Sequence, residues 1–536
     1  MNTTLIRKID RLLAEWDKPD TPGIAIAIVL DGKIVYKRGY GLASLEHNVP
    51  ISTATVFDIG SASKQFVAVC IALLVKRGKL SLKDEVQKYI VEMPRYARPV
   101  TIDNLIHHTS GIRDYLTLMD LAGMRFENEY PDQEIIGLIA KQKELNFAPG
   151  EEFLYSNSGY LLLGEIVKRV TGASLHDFAE KNIFSPLGMT HTHFNDDFTM
   201  VVKNKATGYS PHESGFKVAM SNFDVVGDGG VNTTVEDLFL WDRNFYRNRL
   251  AGGGQALIDT ITAPGELNDG AKLDYAYGLF VNSYRGMKMV SHGGAWAGYR
   301  ADLLRFPHKN FSVICLSNLS QVNPTRIAKQ ITDICLAGGC DVEESAAHHV
   351  AIRRGRLSLK KLRERAGFYF NPATGSVVEI ILKSGKLVFW NGWTTSPLIT
   401  SGLDHFSSAT ASVSVKFEEQ SHGGKFQAII TRATGKPEAY EQERQVSVGS
   451  AALKSFDGNY HCEELDSTYR ITAVKGELWL GRKNTERERL RPVRADLFSG
   501  TGLTVRFVIN RSGKCSGFEL GAGRVKNLLF CRVAQR

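Results

Sequence analysis

The sequence predicts an α/β protein: a layered sandwich of strands and helices with a helical subdomain, followed by two small antiparallel β-barrels. Three observations carry that expectation. A helix-and-hairpin pattern opens the chain, and a strands-and-helix pattern returns before residue 340. Residues 80 to 260 between them read as mainly helical and irregular. Beyond residue 358 short alternating strands replace helical periodicity and repeat themselves once.

Met1 to Trp16 reads as an amphipathic helix with Leu5, Ile6, Ile9, Leu12 and Leu13 on one side. It lacks an unbroken apolar run and a small-residue cleavage site, so it does not read as a signal peptide, and no run of eighteen apolar residues suggests a membrane span. Gly23–Leu30 and Lys33–Gly39 flank Asp31-Gly32, a pair suited to the left-handed positions of a tight hairpin. Ser63 to Arg77 is a helix whose Phe66, Val67, Cys70, Leu73 and Leu74 recur at helical spacing. Further helical segments are expected at Val86–Tyr89, Ile102–His107, Gln133–Lys143, Tyr160–Val170, Leu175–Ile183 and Thr234–Phe245. Strands are expected at Met287–Ser291, Gly298–Phe306 and Phe311–Asn318, with a closing helix at Pro324–Leu336.

Around residues 340 to 358 the composition turns polar, with Glu343-Glu344, His348-His349 and Arg353-Arg354, as a linker would. The C-terminal part then repeats. Gly367-Phe368-Tyr369 matches Gly458-Asn459-Tyr460, Gly385-Lys386-Leu387 matches Gly476-Glu477-Leu478, and Val415-Lys416-Phe417 matches Val505-Arg506-Phe507. A single offset relates all three pairs to within a residue, which means a duplicated domain. The expected organisation is therefore a catalytic domain at 1–340, a linker at 341–358, a first barrel at 359–449 and a second at 450–536.

With 536 residues, 43% hydrophobic and 23% charged, the chain is of ordinary soluble composition and long enough for several cores. Its net charge of +9 is mild, and no nucleic-acid-binding signature accompanies it. Seven cysteines without tight spacing do not form a disulfide framework and read as thiols of a reducing compartment. No zinc-ligand spacing, His-Glu-x-x-His, Gly-x-Ser-x-Gly elbow or phosphate-binding glycine loop is present, so neither metal nor cofactor is expected.

The chemistry concentrates at Gly60-Ser61-Ala62-Ser63-Lys64. A serine at a helix start, where free N–H groups favour negative charge, has a lysine one turn on whose amine folds back towards the hydroxyl. Serine attacks only with a neighbouring base, and lysine can serve. Ser-x-x-Lys also occurs at Ser214/Lys217 and Ser358/Lys361, but only at Ser61 does it open an apolar helix. Two more elements follow in order: Tyr155-Ser156-Asn157 before a helix, and Ser291-His292-Gly293-Gly294-Ala295 after a strand. The latter's His-Gly-Gly recurs at His422, as a turn between barrel strands.

Together, Ser61/Lys64, Tyr155/Asn157 and His292/Gly294 resemble the three motifs of penicillin-recognising serine hydrolases: Ser-x-x-Lys, Tyr-x-Asn and a His-x-Gly variant of Lys-Thr-Gly. His108-Thr109-Ser110-Gly111, Pro149-Gly150 and Gly229-Gly230-Val231-Asn232-Thr233-Thr234 resemble scaffolding segments of the class C β-lactamase-like enzymes over roughly residues 5 to 340. A His-x-Gly domain followed by two related barrels is similar to bacterial D-aminopeptidases of that superfamily. The resemblance implies that Ser61 forms an acyl-enzyme and that Lys64, with Tyr155, moves the proton. Asn157 orients Lys64 and bonds the substrate amide, and the N–H groups of Ser61 and Ala295 form the oxyanion hole beside Gly294. His292 stands where the family has lysine, so the charge that would hold a substrate carboxylate is weaker and pH-dependent.

The expected function is a cytoplasmic serine aminopeptidase or amidase for D-amino-acid-containing peptides or amides, with a small peptide, amide or ester substrate. Neither a nucleic acid nor a membrane is expected as partner, and a homodimer is left open. The alternatives are an esterase or weak β-lactamase/DD-peptidase on the same scaffold, and a non-catalytic peptide or peptidoglycan binder. Arg113, Asp114 and Asp228 are further candidates for a charged substrate end, and Arg482 to Arg491, dense in charge, is either a solvated hairpin tip or a cap.

Overall fold

The computed structural model describes residues 1–336 and 357–533, apart from 391–394, 401, 403, 409–412, 421–423, 433–436 and 445. The expected linker, up to residue 356, and the His422 turn lie outside the described residues.

The chain divides into two compact units. One comprises Met1–Ile112, Arg125–Ala140 and the chain from Phe147 onward through the last described helix of this half. Arg113–Met124 and Lys141–Asn146 belong instead to the unit that contains both barrels.

In the first unit, α1 (Thr3–Leu13) is capped by the Asn2 side chain, and β1 (Ile24–Leu30) turns at Asp31-Gly32 into β2 (Lys33–Tyr40). Asp31 and Gly32 both have positive φ, 50° and 72°, which is what makes the two-residue hairpin. The nucleophile candidate leads into α2 (Lys64–Lys76). Further along lie α3 (Asn157–Thr171), α4 (Val235–Asn244), β3 (Phe280–Tyr284), β4 (Met287–Trp296), β5 (Tyr299–Phe306), β6 (Phe311–Ser317) and α5 (Pro324–Leu336). The six strands form one antiparallel sheet in the order β3-β4-β5-β6-β1-β2, so the first hairpin joins the last strands of the unit.

Six of the seven residues of β1, Ile-Ala-Ile-Ala-Ile-Val, are buried, because both faces of the sheet are covered. Ile26, Ile28, Val313, Cys315 and Leu304 join Ile9, Leu13, Ile327 and Ile331 from α1 and α5 in one core. α4 packs on β1 and β6 across the other face. It is tied down by Asp242, whose Oδ1 accepts from Arg305 Nε at 2.7 Å and Ser312 Oγ at 2.8 Å. Arg305 and Asp242 are each about 1% exposed.

β4 is twice as long as its apolar run predicts. Gly293-Gly294 interrupts the pattern, yet the strand continues to Trp296 because β5 pairs with it throughout, Ser291 to Leu304 and Trp296 to Tyr299. β3 covers only Met287–Ser291. Leu175–Ile183 is not one helix but a short α-turn, Leu175–Ala179, running into a π-turn at Glu180–Phe184.

The second unit contains two closed eight-stranded antiparallel barrels. Each is preceded by a short helix, Leu359–Glu364 and Ser450–Phe456, and closed by its first strand pairing with its last. The repeat is visible atom by atom: Tyr369 Oη donates to Arg365 O at 2.9 Å, and Tyr460 Oη to Phe456 O at 2.7 Å. Among the described residues no helix is long and apolar enough to cross a membrane.

Candidate active site

Ser61 lies in a 3₁₀ turn, Gly60–Ser63, immediately before α2, so it precedes the α-helix rather than opening it. Two bare backbones make that turn. Gly60 has φ +49°, and a Cβ there would come within 2.7 Å of Ala295 N. A Cβ on Gly294 would sit 1.8 Å from Ile59 O. The two glycines let β4 lie against the Ser61 turn and bring Ala295 N beside it. Asp58 Oδ1 accepts the Gly60 N–H at 2.7 Å and holds the turn from below. Burial pushes the Asp58 carboxyl up, partly offset by that bond and by Lys205.

Lys64 is wholly buried, and its Nζ lies 3.1 Å from Ser61 Oγ, 2.9 Å from Asn157 Oδ1 and 2.6 Å from Asp228 O. All three partners are neutral oxygens. With hydrogen bonds spent on Asn157 and Asp228, the remaining position on nitrogen faces the serine hydroxyl, the geometry a proton transfer between the two requires. The Tyr155 ring lies 4.9 Å from Nζ. Asp228, expected at a substrate end, contributes its carbonyl to Lys64.

Tyr155-Ser156-Asn157 is positioned by the stretch from His108 to Ile112, whose first four residues the sequence marks only as scaffolding. His108, buried and at φ +57°, accepts the Ser156 N–H on Nδ1 at 3.1 Å and stacks on Tyr155, ring centroids 4.2 Å apart. Ser156 Oγ donates to Ile112 O, and Leu154 N to His108 O. Asn157 is the first residue of α3, so its side chain is fixed by the helix start.

His292 departs from its expected character. It is 3% exposed, and Nδ1 lies 2.6 Å from Gly293 O, an acceptor only, so Nδ1 carries the proton. Nε2 therefore accepts, and the Tyr275 hydroxyl at 3.1 Å donates to it. Burial, reinforced by the Lys64 ammonium, pushes His292 down to about 3. The ring is neutral through the physiological range, so it does not supply the weak, pH-dependent cation the sequence led us to expect. Its two nitrogens serve Gly293 and Tyr275.

The structure thus brings Ser61, Lys64, Tyr155, Asn157, His292, Gly294 and Ala295 together in one unit. Arg113 and Asp114 are employed elsewhere, in the barrel-containing unit. Arg113 donates to Glu464 Oε2 at 2.7 Å, to Gln142 Oε1 and to the carbonyls of Lys526 and Asn527. Asp114 caps the helix Tyr115–Ala122 and pairs with Arg524. In that unit the 482–491 segment is no free tip at its start, since Arg482 pairs with Asp120 at 3.0 Å and Asn484 donates to Gly123 O. Sequence reasoning placed His108 in a scaffolding segment without giving it a role, and missed Asp58 and Tyr275, which carry no motif. Among the described residues no group of three or more His, Cys, Asp or Glu side chains is arranged to hold a metal ion.

Comparison with known proteins identifies the family. The family profile described as Beta-lactamase matches residues 6–335. A D-aminopeptidase of Gluconobacter oxydans (strain 621H) is 27% identical over 467 residues, covering 86% of this chain and 83% of its own. A D-aminopeptidase of Cereibacter sphaeroides is 25% identical and covers 96% of both chains. Among solved structures, the octameric penicillin-binding protein homologue from Pyrococcus abyssi superposes with a TM-score of 0.57 at 26% identity, over 82% of this chain and 99% of that one.

Proposed function

We propose, from the premise that the chain belongs to the Beta-lactamase family, that it is a serine hydrolase working through an acyl-enzyme on Ser61. Its substrates are amides or peptides bearing a D-amino acid at a free amino end. The observation that carries the reading is Lys64, buried on neutral oxygens and 3.1 Å from the Ser61 hydroxyl. Binding alone requires no such pair.

In this reading Ser61 Oγ attacks the carbonyl carbon and its proton passes to Lys64 Nζ, with Tyr155 alongside. The carbonyl oxygen becomes an oxyanion facing the N–H groups of Ser61 and Ala295. The C–N bond then breaks, and the proton goes to the departing amine through the Lys64/Tyr155 pair. Water enters by the same route and releases the acid. Asn157 fixes Lys64 by one hydrogen bond. His292, neutral, holds no substrate carboxylate by charge, which favours substrates without one over β-lactams. The names of the relatives in Gluconobacter and Cereibacter support selectivity for D-residues.

A substrate panel tests this: the p-nitroanilides of D-alanine and L-alanine beside a short-chain p-nitrophenyl ester, each with the wild type and Ser61→Ala. The expected result is turnover of the D-anilide that Ser61→Ala abolishes without unfolding. Ester turnover with no anilide turnover would replace the amidase with an esterase. No burst with any of the three would leave a binding protein.

A further inference from the structure

Past Ala295, β4 ends in Trp296, and three rings from other segments gather around it. Phe126 lies 6.0 Å from the indole at 73°, Phe223 lies 5.8 Å away at 43°, and Tyr130 lies 6.3 Å from Phe223. All four are half-buried, with ring surface left at the boundary between core and water. Ser221 pins the two ring-bearing segments together: its Oγ donates to Phe126 O at 2.6 Å and accepts from Phe223 N at 3.1 Å.

The phase of the strand says what this cluster faces. Side chains alternate along a strand, so His292, Gly294 and Trp296 share one face. On that face His292 looks at Tyr155, ring centroids 6.1 Å apart, and Gly294 lies bare against the turn that carries Ser61. Trp296 is the next side chain along, roughly 13 Å beyond His292 at two residues per strand repeat. β3 does not cover this stretch, since its last partner is Ser291. The charge that would anchor a carboxylate is missing here, because His292 is neutral. Recognition of an acyl group beside Ala295 therefore falls to apolar contact, and the aromatic rings are the surface that offers it.

We propose that Trp296, Phe126 and Phe223 form a specificity wall for an aromatic or bulky apolar side chain carried next to the scissile carbonyl. This rests on the serine-hydrolase reading and narrows its substrate class. A benzyl group laid on such a wall gains the free energy of burying a phenyl ring, which a methyl group does not.

The test uses the full chain with p-nitrophenyl acetate and p-nitrophenyl phenylacetate, measuring kcat/KM and the p-nitrophenol burst. Wild type should favour the phenylacetyl ester by about tenfold or more after correction for the uncatalysed rates, the scale on which apolar pockets discriminate. Trp296→Ala should cut that ratio by about tenfold, and Phe126→Ala and Phe223→Ala should each cut it by a smaller factor. A purely structural role for the rings would lower both esters together and leave the ratio intact, which overturns the proposal. So does a wild type that prefers acetate. The two phenylalanine variants decide the matter should Trp296→Ala fail to fold. Absence of any Ser61-dependent turnover of either ester by the wild type would instead overturn the serine-hydrolase reading, a different failure with a different signature.

Discussion

Two buried basic side chains, Arg113 in one unit and Lys64 in the other, are partnered in opposite ways. Arg113 is 1% exposed and spends its guanidinium on the Glu464 carboxylate, an amide oxygen and two carbonyls. Lys64 is wholly buried too, but its partners are a hydroxyl, an amide oxygen and a carbonyl. A guanidinium against a carboxylate is a fixed charge, and such a pair holds segments together. An amine held by neutral dipoles has no carboxylate to fix it, and one of those dipoles is the hydroxyl whose proton it would take as a base. Burial alone does not separate structure from chemistry here; the charge of the partner does. Arg305 on Asp242 repeats the first arrangement inside the same unit as Lys64, so the contrast does not depend on the unit.

The contrast can be broken most directly at Lys64. Lys64→Met keeps the stem and removes the amine. It should lower the acylation rate by about a thousandfold or more, roughly 4 kcal/mol in the barrier, while thermal unfolding stays within about 1 kcal/mol of wild type because no buried carboxylate is left without its partner. A loss of stability matching that of a carboxylate-paired arginine would erase the distinction.

Arg113→Met is the mirror experiment. It strands Glu464 beside Gln142 without its cation, and should destabilise the barrel-containing unit by about 3–5 kcal/mol, read as a shift of the corresponding denaturant transition. Asp242→Ala should cost a similar amount in the other unit.

The smallest effect is expected at His292. Its neutral ring predicts that His292→Gln leaves the shape of the kcat/KM profile between pH 5 and 8 unchanged, because the histidine does not titrate there. Its consequence is for stability. Below the ordinary value of 6.5 the unfolded chain takes up a proton that the folded site refuses until about 3. Folding stability therefore falls as the pH drops through that window. His292→Gln should remove this part of the slope, and equilibrium unfolding at stepped pH measures it.

Much of this was legible in the sequence, for reasons that differ by element. The order of Ser61/Lys64, Tyr155/Asn157 and His292/Gly294 announced the site, and a repeat with one offset announced the barrels. The charge state of His292 was not legible, since it depends on the burial of the ring, the nearby Lys64, the Gly293 carbonyl and a tyrosine seventeen residues upstream. His108 lies in a stretch that the sequence marks only as scaffolding, and its φ of +57° turns the chain there. That the same residue accepts the Ser156 N–H across forty-eight positions has no local signature. The expected end of β4 falls at Gly293-Gly294 because two glycines look like a strand's end, whereas Gly294 is what brings the strand against the Ser61 turn. Phe126, Phe223 and Trp296 carry no motif and become neighbours only through the fold.

The separation between Arg113 and Glu464 is 351 positions along the chain. On a ribosome adding about 5–20 residues per second, the arginine waits on the order of 20–70 s for its carboxylate. During that interval Arg113–Met124 and Lys141–Asn146 lie within an already synthesised stretch whose own partners do not yet exist. A gene truncated after the sheet would leave those loops, with the Arg113 charge, permanently without the Glu464 carboxylate. Excising the hydrolase half as a free-standing enzyme calls for redesigning residues 113–124 and 141–146 first.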